Sequence, residues 1–193
     1  MLEIRIHGRG GQGVVTAAEL ISVAAFREGR FSQAFPSFGS ERMGAPVVSF
    51  CRIDEVAIRL REPVASPDVL IIQDATLFQS VNVLGGLQPG GYLLINSARS
   101  PHELGLDEIV ARLPPGHVRC VPAAEIGRRH LGRPLANVAL LGGFAALTGA
   151  VHLASVELAI RERFPGATGD KNVAAAEEAF AFASRAVAEE AAC

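Results

Sequence analysis

The run Leu2-Glu3-Ile4-Arg5-Ile6-His7-Gly8-Arg9-Gly10-Gly11-Gln12-Gly13-Val14-Val15-Thr16-Ala17-Ala18-Glu19 decides the fold. Its first six residues alternate apolar and polar side chains, the period of a strand with one face in a core. Gly8 to Gly13 interrupt that alternation with a glycine-rich turn. From Val14 to Arg27 the valines, alanines, leucine and isoleucine recur at helical spacing. Strand, tight turn and helix in this order open a Rossmann-like α/β unit.

The same alternation of elements continues outward. Gly29 ends the first helix, and Arg30 to Phe35 reads as a second strand that Pro36 breaks. Val47 to Ile53 and Val56 to Leu60 read as two strands of a hairpin turned at Asp54-Glu55. Asp68 to Gln73, Gly91 to Asn96 and His117 to Val121 are apolar runs of strand length, suited to parallel strands covered on both faces. Short helices are expected at Ala75 to Leu84 and Leu106 to Leu113. Longer ones are expected at Ala123 to His130, Asn137 to Val151, Ser155 to Phe164 and Asp170 to Glu190. The expectation is one domain over residues 1–193: a three-layer α/β/α fold with a mainly parallel sheet, one antiparallel hairpin and a helical C-terminus.

Composition narrows the function. With 193 residues, 49% of them hydrophobic, the chain can bury one sizeable core. A formal charge of −2 gives no basic surface for nucleic acid. No apolar run has the length of a membrane span, and Val138 to Val151, interrupted by glycine, reads as a buried helix. Met1 to His7 already reads as a strand, so no signal peptide is expected, and the cytoplasm is the predicted location. Cys51, Cys120 and Cys193 are odd in number and far apart, matching neither a disulfide framework nor cluster ligands; an iron–sulfur cluster would belong to another chain. His7, His102, His117, His130 and His152 form no ligand spacing, so no metal site is expected. No catalytic nucleophile stands out either: there is no G-x-S-x-G elbow, and Lys171, the only lysine, has no supporting context.

Two segments carry chemistry. Gly8, Gly10 and Gly13 have the G-x-G-x-x-G spacing between strand and helix, where backbone amides can meet a diphosphate at the positive helix end. A dinucleotide site also wants an acid at the end of the second strand, but that strand ends Gln33-Ala34-Phe35-Pro36 and Glu28 precedes it. A nicotinamide site, a general phosphate loop and plain close packing all remain open for these glycines. The second segment runs Phe35-Pro36-Ser37-Phe38-Gly39-Ser40-Glu41-Arg42-Met43-Gly44-Ala45-Pro46. It is a loop by its glycines and prolines, yet it carries aromatics, a methionine and charges, a mixture typical of binding surfaces.

Together these segments carry a family resemblance. Gly8 to Glu19 resembles the N-terminal signature of the γ subunits of 2-oxoacid:ferredoxin oxidoreductases, and Phe35 to Val47 resembles that family's second hallmark at the usual separation. Arg133 to Gly143 is a third, weaker match, and Asp170 to Ala175 follows the family only loosely. The resemblance implies CoA-dependent oxidative decarboxylation of a 2-oxoacid with electrons passed to ferredoxin. It also implies α, β and usually δ partner subunits, with thiamine diphosphate and the iron–sulfur clusters on those other chains.

On that basis the amides around Gly10, Gly11, Gln12 and Gly13, with Ser37 and Arg42, are expected to meet a phosphate, such as the nucleotide end of CoA, or an acidic group of a partner. Arg42 has the alternative of pairing with Glu41 or solvent. Phe35, Phe38 and Met43 are expected to pack at a subunit interface, and Asn137 to cap a helix. The two loops are expected to meet at the carboxyl edge of the sheet. Alone, such a subunit would expose apolar surface and favour a homodimer. Two further readings are the small subunit of an indolepyruvate oxidoreductase, against which the Phe35 to Pro46 block argues, and a free-standing dinucleotide-binding protein. A scaffold domain that touches no ligand is the blandest.

Overall fold

The alternating run forms β1 (Leu2–Arg9), with Ile4 and Ile6 fully buried on one face and Arg5 and His7 buried on the other. The computed structural model describes residues 1–37 and 43–191, the stretch 186–191 by its backbone alone. α1 (Val14–Arg27), β2 (Phe31–Pro36), β3 (Pro46–Asp54) and β4 (Val69–Ile72) follow. A short 3₁₀ helix (Ala75–Gln79), β5 (Tyr92–Asn96), α2 (Asp107–Val110) and β6 (Val118–Val121) come next. Four helices complete the chain: α3 (Ala123–Leu131), α4 (Asn137–Thr148), α5 (Leu153–Arg163) and α6 (Ala167–Ala191).

The sheet order is β2-β3-β1-β4-β5-β6. β1, β4, β5 and β6 run parallel, whereas β3 is antiparallel to both β1 and β2. This matches the expected mainly parallel sheet but corrects the hairpin. Val56 to Leu60 is not a strand: both edges of β3, its expected hairpin partner, are already occupied by β1 and β2. Val56 and Leu60 lie 65% and 46% exposed. Arg52 Nη2 donates to Glu62 O at 2.7 Å, and Arg5 Nη1 donates to Val64 O and Ala65 O. These two buried arginines therefore tie down Glu62 to Ala65, the stretch that follows Val56–Leu60.

Parallel strands with apolar residues at every position need cover on both faces. Val69 and Ile71 join Ile4, Ile6 and the inner sides of α1 and α3–α6 in the larger core, while Leu70 and Ile72 join Leu93, Ile95, Leu77, Val83 and Leu106 in the smaller one. The cover on that second face is thin. The expected helices there shrink to Ala75–Gln79 and Asp107–Val110: the first is followed by Ser80-Val81-Asn82-Val83, all poor helix formers, and the second by Pro114-Pro115.

α4 is apolar on all sides because it lies in the interior. Its Gly143 faces Leu94 and Val121 of the sheet, and a Cβ on Gly142 would lie 1.9 Å from Ala176 O, so α6 packs directly on its backbone. Ala175, Ala176, Ala179 and Ala183 of α6 are fully buried along that contact. Phe144 is also fully buried, a placement worth about 1.5–3 kcal/mol. Among the described residues, no helix is long and apolar enough to cross a membrane.

Candidate functional site

In this topology the C-terminal ends of β1, β2, β4, β5 and β6 lie along one edge, where open α/β sheets bind ligands. The glycine turn leaves β1 there. Gln12 N donates to Arg9 O at 3.0 Å and Gly10 N to Ala45 O at 2.9 Å. The amides of Gly10 and Gln12, expected to face a ligand, are therefore engaged within the protein. Among the described residues, Gly11 N and Gly13 N have no such partner. Gly11 and Gly13 hold φ of 91° and 71°, conformations that side-chain-bearing residues adopt only with strain.

Gly13 is also the N-cap of α1 and supplies no capping side chain, and the first turn carries no acid. The first-turn amides of Val14, Val15 and Thr16 are thus open donors at the positive end of the helix. Beside them the start of α4 and the first turn of α6 meet α1 around a cleft of about 460 Å³ that includes Thr16, Arg133, Asn137 and Asn172. Asn137 departs from the expected role. The N-cap of α4 is Ala136, which has no side-chain cap bond. Asn137 sits within the first turn instead, and its Nδ2 donates weakly to Gly13 O at 3.5 Å. It occupies the space that a Cβ on Gly13 would need, with Nδ2 2.4 Å from that position.

The second segment meets the turn through its C-terminal half. Met43 pairs with Gly10 in a parallel bridge, and Gly44 N donates to Gly10 O at 3.1 Å. Met43 is 88% exposed, the most exposed large apolar side chain among the described residues. Its Sδ covers Gly11, 2.6 Å from where a Cβ would stand. Ser37 and Phe35 lie farther away, at the end of β2, separated from the glycine turn by β3. Ser37 N donates to Val48 O at 2.8 Å and so prolongs the ladder. Phe35 packs on Phe50 at 5.2 Å between ring centroids, with the Arg52 guanidinium 5.4 Å from its own ring centroid. Phe38 and Arg42 lie outside the described residues.

Several residues not anticipated complete the edge. Asp74, just beyond β4, accepts from Arg9 Nε at 3.1 Å and Gln12 Nε2 at 3.0 Å through Oδ2. Its Oδ1 accepts from Thr76 N and Oγ1. Burial works against the charged form of Asp74, but hydrogen bonds from Thr76 and Gln12 and the Arg9 charge outweigh it and hold the carboxyl below its usual range. Gln73 is 2% exposed, and neither side-chain amide atom has a partner. It lies at the base of a cleft of about 430 Å³ bordered by Gln12, Asp74, Asn96, Arg99 and Leu135. Asn96 bonds both neighbours there, donating to Gln73 O and accepting from Ala124 N, each at 2.9 Å. Position is the one signal that marks these residues in the sequence: Gln73, Asp74 and Asn96 are polar groups at the ends of apolar strand runs.

Among the described residues, the thiols do not suit cluster or nucleophile chemistry. Burial pushes Cys51 up to about 12 and Cys120 up to about 11, so both stay protonated. Among the described residues, no three His, Cys, Asp or Glu side chains gather as a metal site.

A family model described as pyruvate ferredoxin/flavodoxin oxidoreductase matches residues 3–182. The chain is 48% identical over 180 residues to the pyruvate/ketoisovalerate oxidoreductases common subunit gamma of Thermococcus kodakarensis, covering 93% of this chain and 96% of that protein. It is 47% identical, with the same coverage, to pyruvate synthase subunit PorC of Methanocaldococcus jannaschii. The crystal structure of pyruvate oxidoreductase subunit PORC from Thermotoga maritima superposes with a TM-score of 0.78 at 32% identity, covering 93% of this chain and 95% of that one.

Proposed function

The chain belongs to the pyruvate ferredoxin/flavodoxin oxidoreductase family, and from that premise we propose that it is the γ subunit of a 2-oxoacid:ferredoxin oxidoreductase. The assembled enzyme would convert a 2-oxoacid such as pyruvate, with CoA, to acyl-CoA and CO₂, releasing one proton and passing two electrons to ferredoxin. In this reading α, β and δ subunits hold the thiamine diphosphate and the iron–sulfur clusters, and the complex works in the cytoplasm. The whole of residues 1–193 acts as one unit within it.

The observation that carries the reading is the joining of the glycine turn to Met43–Ala45 at the sheet's carboxyl edge, with Met43 held out in solvent. A backbone-pinned, exposed methionine suits insertion into an apolar pocket of a partner chain. The same surface would pair two copies when the partners are absent. The residues also fit a phosphate group. Gly11, Gly13 and the first turn of α1 offer open amides, whereas Ser37, on the far side of β3, does not join them. We assign that donor set to the nucleotide end of CoA or to an acidic group of a partner.

The free-standing dinucleotide alternative is disfavoured by topology: β3 lies between β1 and β2, so the second strand ends two strands away from the glycine turn and cannot present a ribose acid beside it. The Phe35–Pro46 block favours the γ type over the indolepyruvate small subunit.

The test is the co-expressed complex with and without this chain, assayed for CoA-dependent reduction of viologen dye by pyruvate, 2-oxoglutarate and indolepyruvate. The proposal expects activity only when the chain is present, and with a short-chain oxoacid rather than the aryl one. Full turnover in a complex lacking the chain would refute it.

A further inference from the structure

We infer that Asp74 is the positioning residue of the docking edge, the group that holds the glycine turn and the Met43–Ala45 segment in one fixed arrangement before any partner arrives. The inference rests on the subunit reading above and names a residue outside both sequence segments.

Ile72 pairs with His7, and Gln73 N donates to His7 O at 2.8 Å, so the chain leaving β4 runs beside the chain leaving β1. That brings the Asp74 carboxylate against Arg9 and Gln12. Its two oxygens together accept four donors, two from the turn and two from Thr76. The carboxylate then acts along two arms.

One arm passes through Gln12. With Nε2 held by Asp74, Oε1 accepts Arg9 N at 2.7 Å and closes the turn from within. The other arm passes through Arg9. With Nε held by Asp74, Nη2 donates to Thr76 Oγ1 at 2.9 Å and Nη1 donates to Gly44 O at 3.1 Å. Gly44 is the residue next to Met43. One carboxylate thus sets both the shape of the turn and its distance from the exposed methionine.

The network contributes surface geometry rather than core packing. Arg9 and Asp74 are part-buried, with side-chain exposures of 29% and 16%, and Thr76 is exposed. An asparagine at position 74 keeps the shape but turns an amino group toward either Thr76 or the Arg9 and Gln12 donors, placing donor against donor. The edge would then have to be ordered during association, which weakens binding without unfolding the chain.

The experiment uses the co-purified complex carrying Asp74→Asn, Asp74→Glu or Arg9→Lys, diluted in steps and resolved by gel filtration to find the concentration at which this chain is half released. Asp74→Asn is expected to raise that concentration about tenfold, equivalent to about 1.4 kcal/mol. Asp74→Glu, which restores the charge on a longer arm, recovers part of the loss. The melting temperature of the variant chain should stay within a few degrees of wild type. Arg9→Lys keeps the charge but loses the fork that reaches Gly44. It should shift release in the same direction, and it carries the test if Asp74→Asn does not fold. Release of both Asp74→Asn and Arg9→Lys at the wild-type concentration overturns the inference and leaves the subunit reading intact. So does a weakening matched by an equally large loss of melting temperature in both variants. A wild-type chain that the complex never retains overturns both.

Discussion

Replacing Gly13 with alanine places a methyl group where both the backbone conformation and a packed neighbour oppose it. Gly13 has φ 71° and ψ 36°, a left-handed conformation that costs a residue with a Cβ about 1–2 kcal/mol. The new Cβ would stand 2.4 Å from Asn137 Nδ2 and 3.0 Å from its Cγ, so the asparagine must swing aside. Displacing a packed side chain of this kind adds about 1–2 kcal/mol. The sum, about 3 kcal/mol, corresponds in a chain of this size to a fall in melting temperature of roughly 6–12 °C. Thermal and urea unfolding of Gly13→Ala, Asn137→Ala and the double variant separate the two contributions. With Asn137 truncated only the backbone cost remains, so alanine at position 13 should cost at least about 1 kcal/mol less in that background. Equal costs in both backgrounds would refute the packing of Asn137 over Gly13, and a neutral Gly13→Ala would refute the left-handed turn as well.

Two other expectations follow from buried and exposed extremes of the same edge. Burial, aided by the Arg5 charge, lowers the His7 imidazole to about 4. Its Nε2 accepts Arg5 Nε at 3.0 Å, which requires the neutral ring. The unfolded chain binds the His7 proton near pH 6.5 and the folded chain only near 4. Between those values the unfolded state holds more protons, so stability falls as pH drops, by up to about 3 kcal/mol across the window. In His7→Gln, whose amide oxygen can take the Arg5 bond, urea midpoints measured from pH 7 to 4 should lose most of that slope; an unchanged slope would assign it to other groups. Met43→Ala should leave the unfolding midpoint of the chain within about 0.5 kcal/mol, since the side chain is 88% exposed. It should weaken retention in the complex by about five- to thirtyfold, roughly 1–2 kcal/mol. Unchanged retention would remove Met43 from the interface.

Much of the fold was legible because its determinants are local. Helical spacing from Val14 to Arg27 gives the helix that forms, to the residue, and the three apolar runs become β4, β5 and β6 with ends shifted by one residue. Val56–Leu60 was misread because a strand needs a free edge, and whether β3 has one depends on where β2 and β1 settle, a long-range fact. The glycine turn and the Met43–Ala45 half of the second segment were both visible as motifs, and the structure brings them together. Ser37 and Phe35 belong to the same segment yet lie two strands from the turn. Asp74 escaped notice because its partners Arg9 and Gln12 are 65 and 62 residues away in the chain. Asn137 was read as a cap from its residue type, whereas its side chain reaches across 124 residues to Gly13.

Hydrogen exchange of the amides in residues 10–16 and 43–47, compared between the chain alone and the chain in its complex, tests the docking edge most directly. The account predicts that assembly slows exchange in both stretches together by tenfold or more. Unchanged exchange in both, with protection appearing only along α5 and α6, would contradict it.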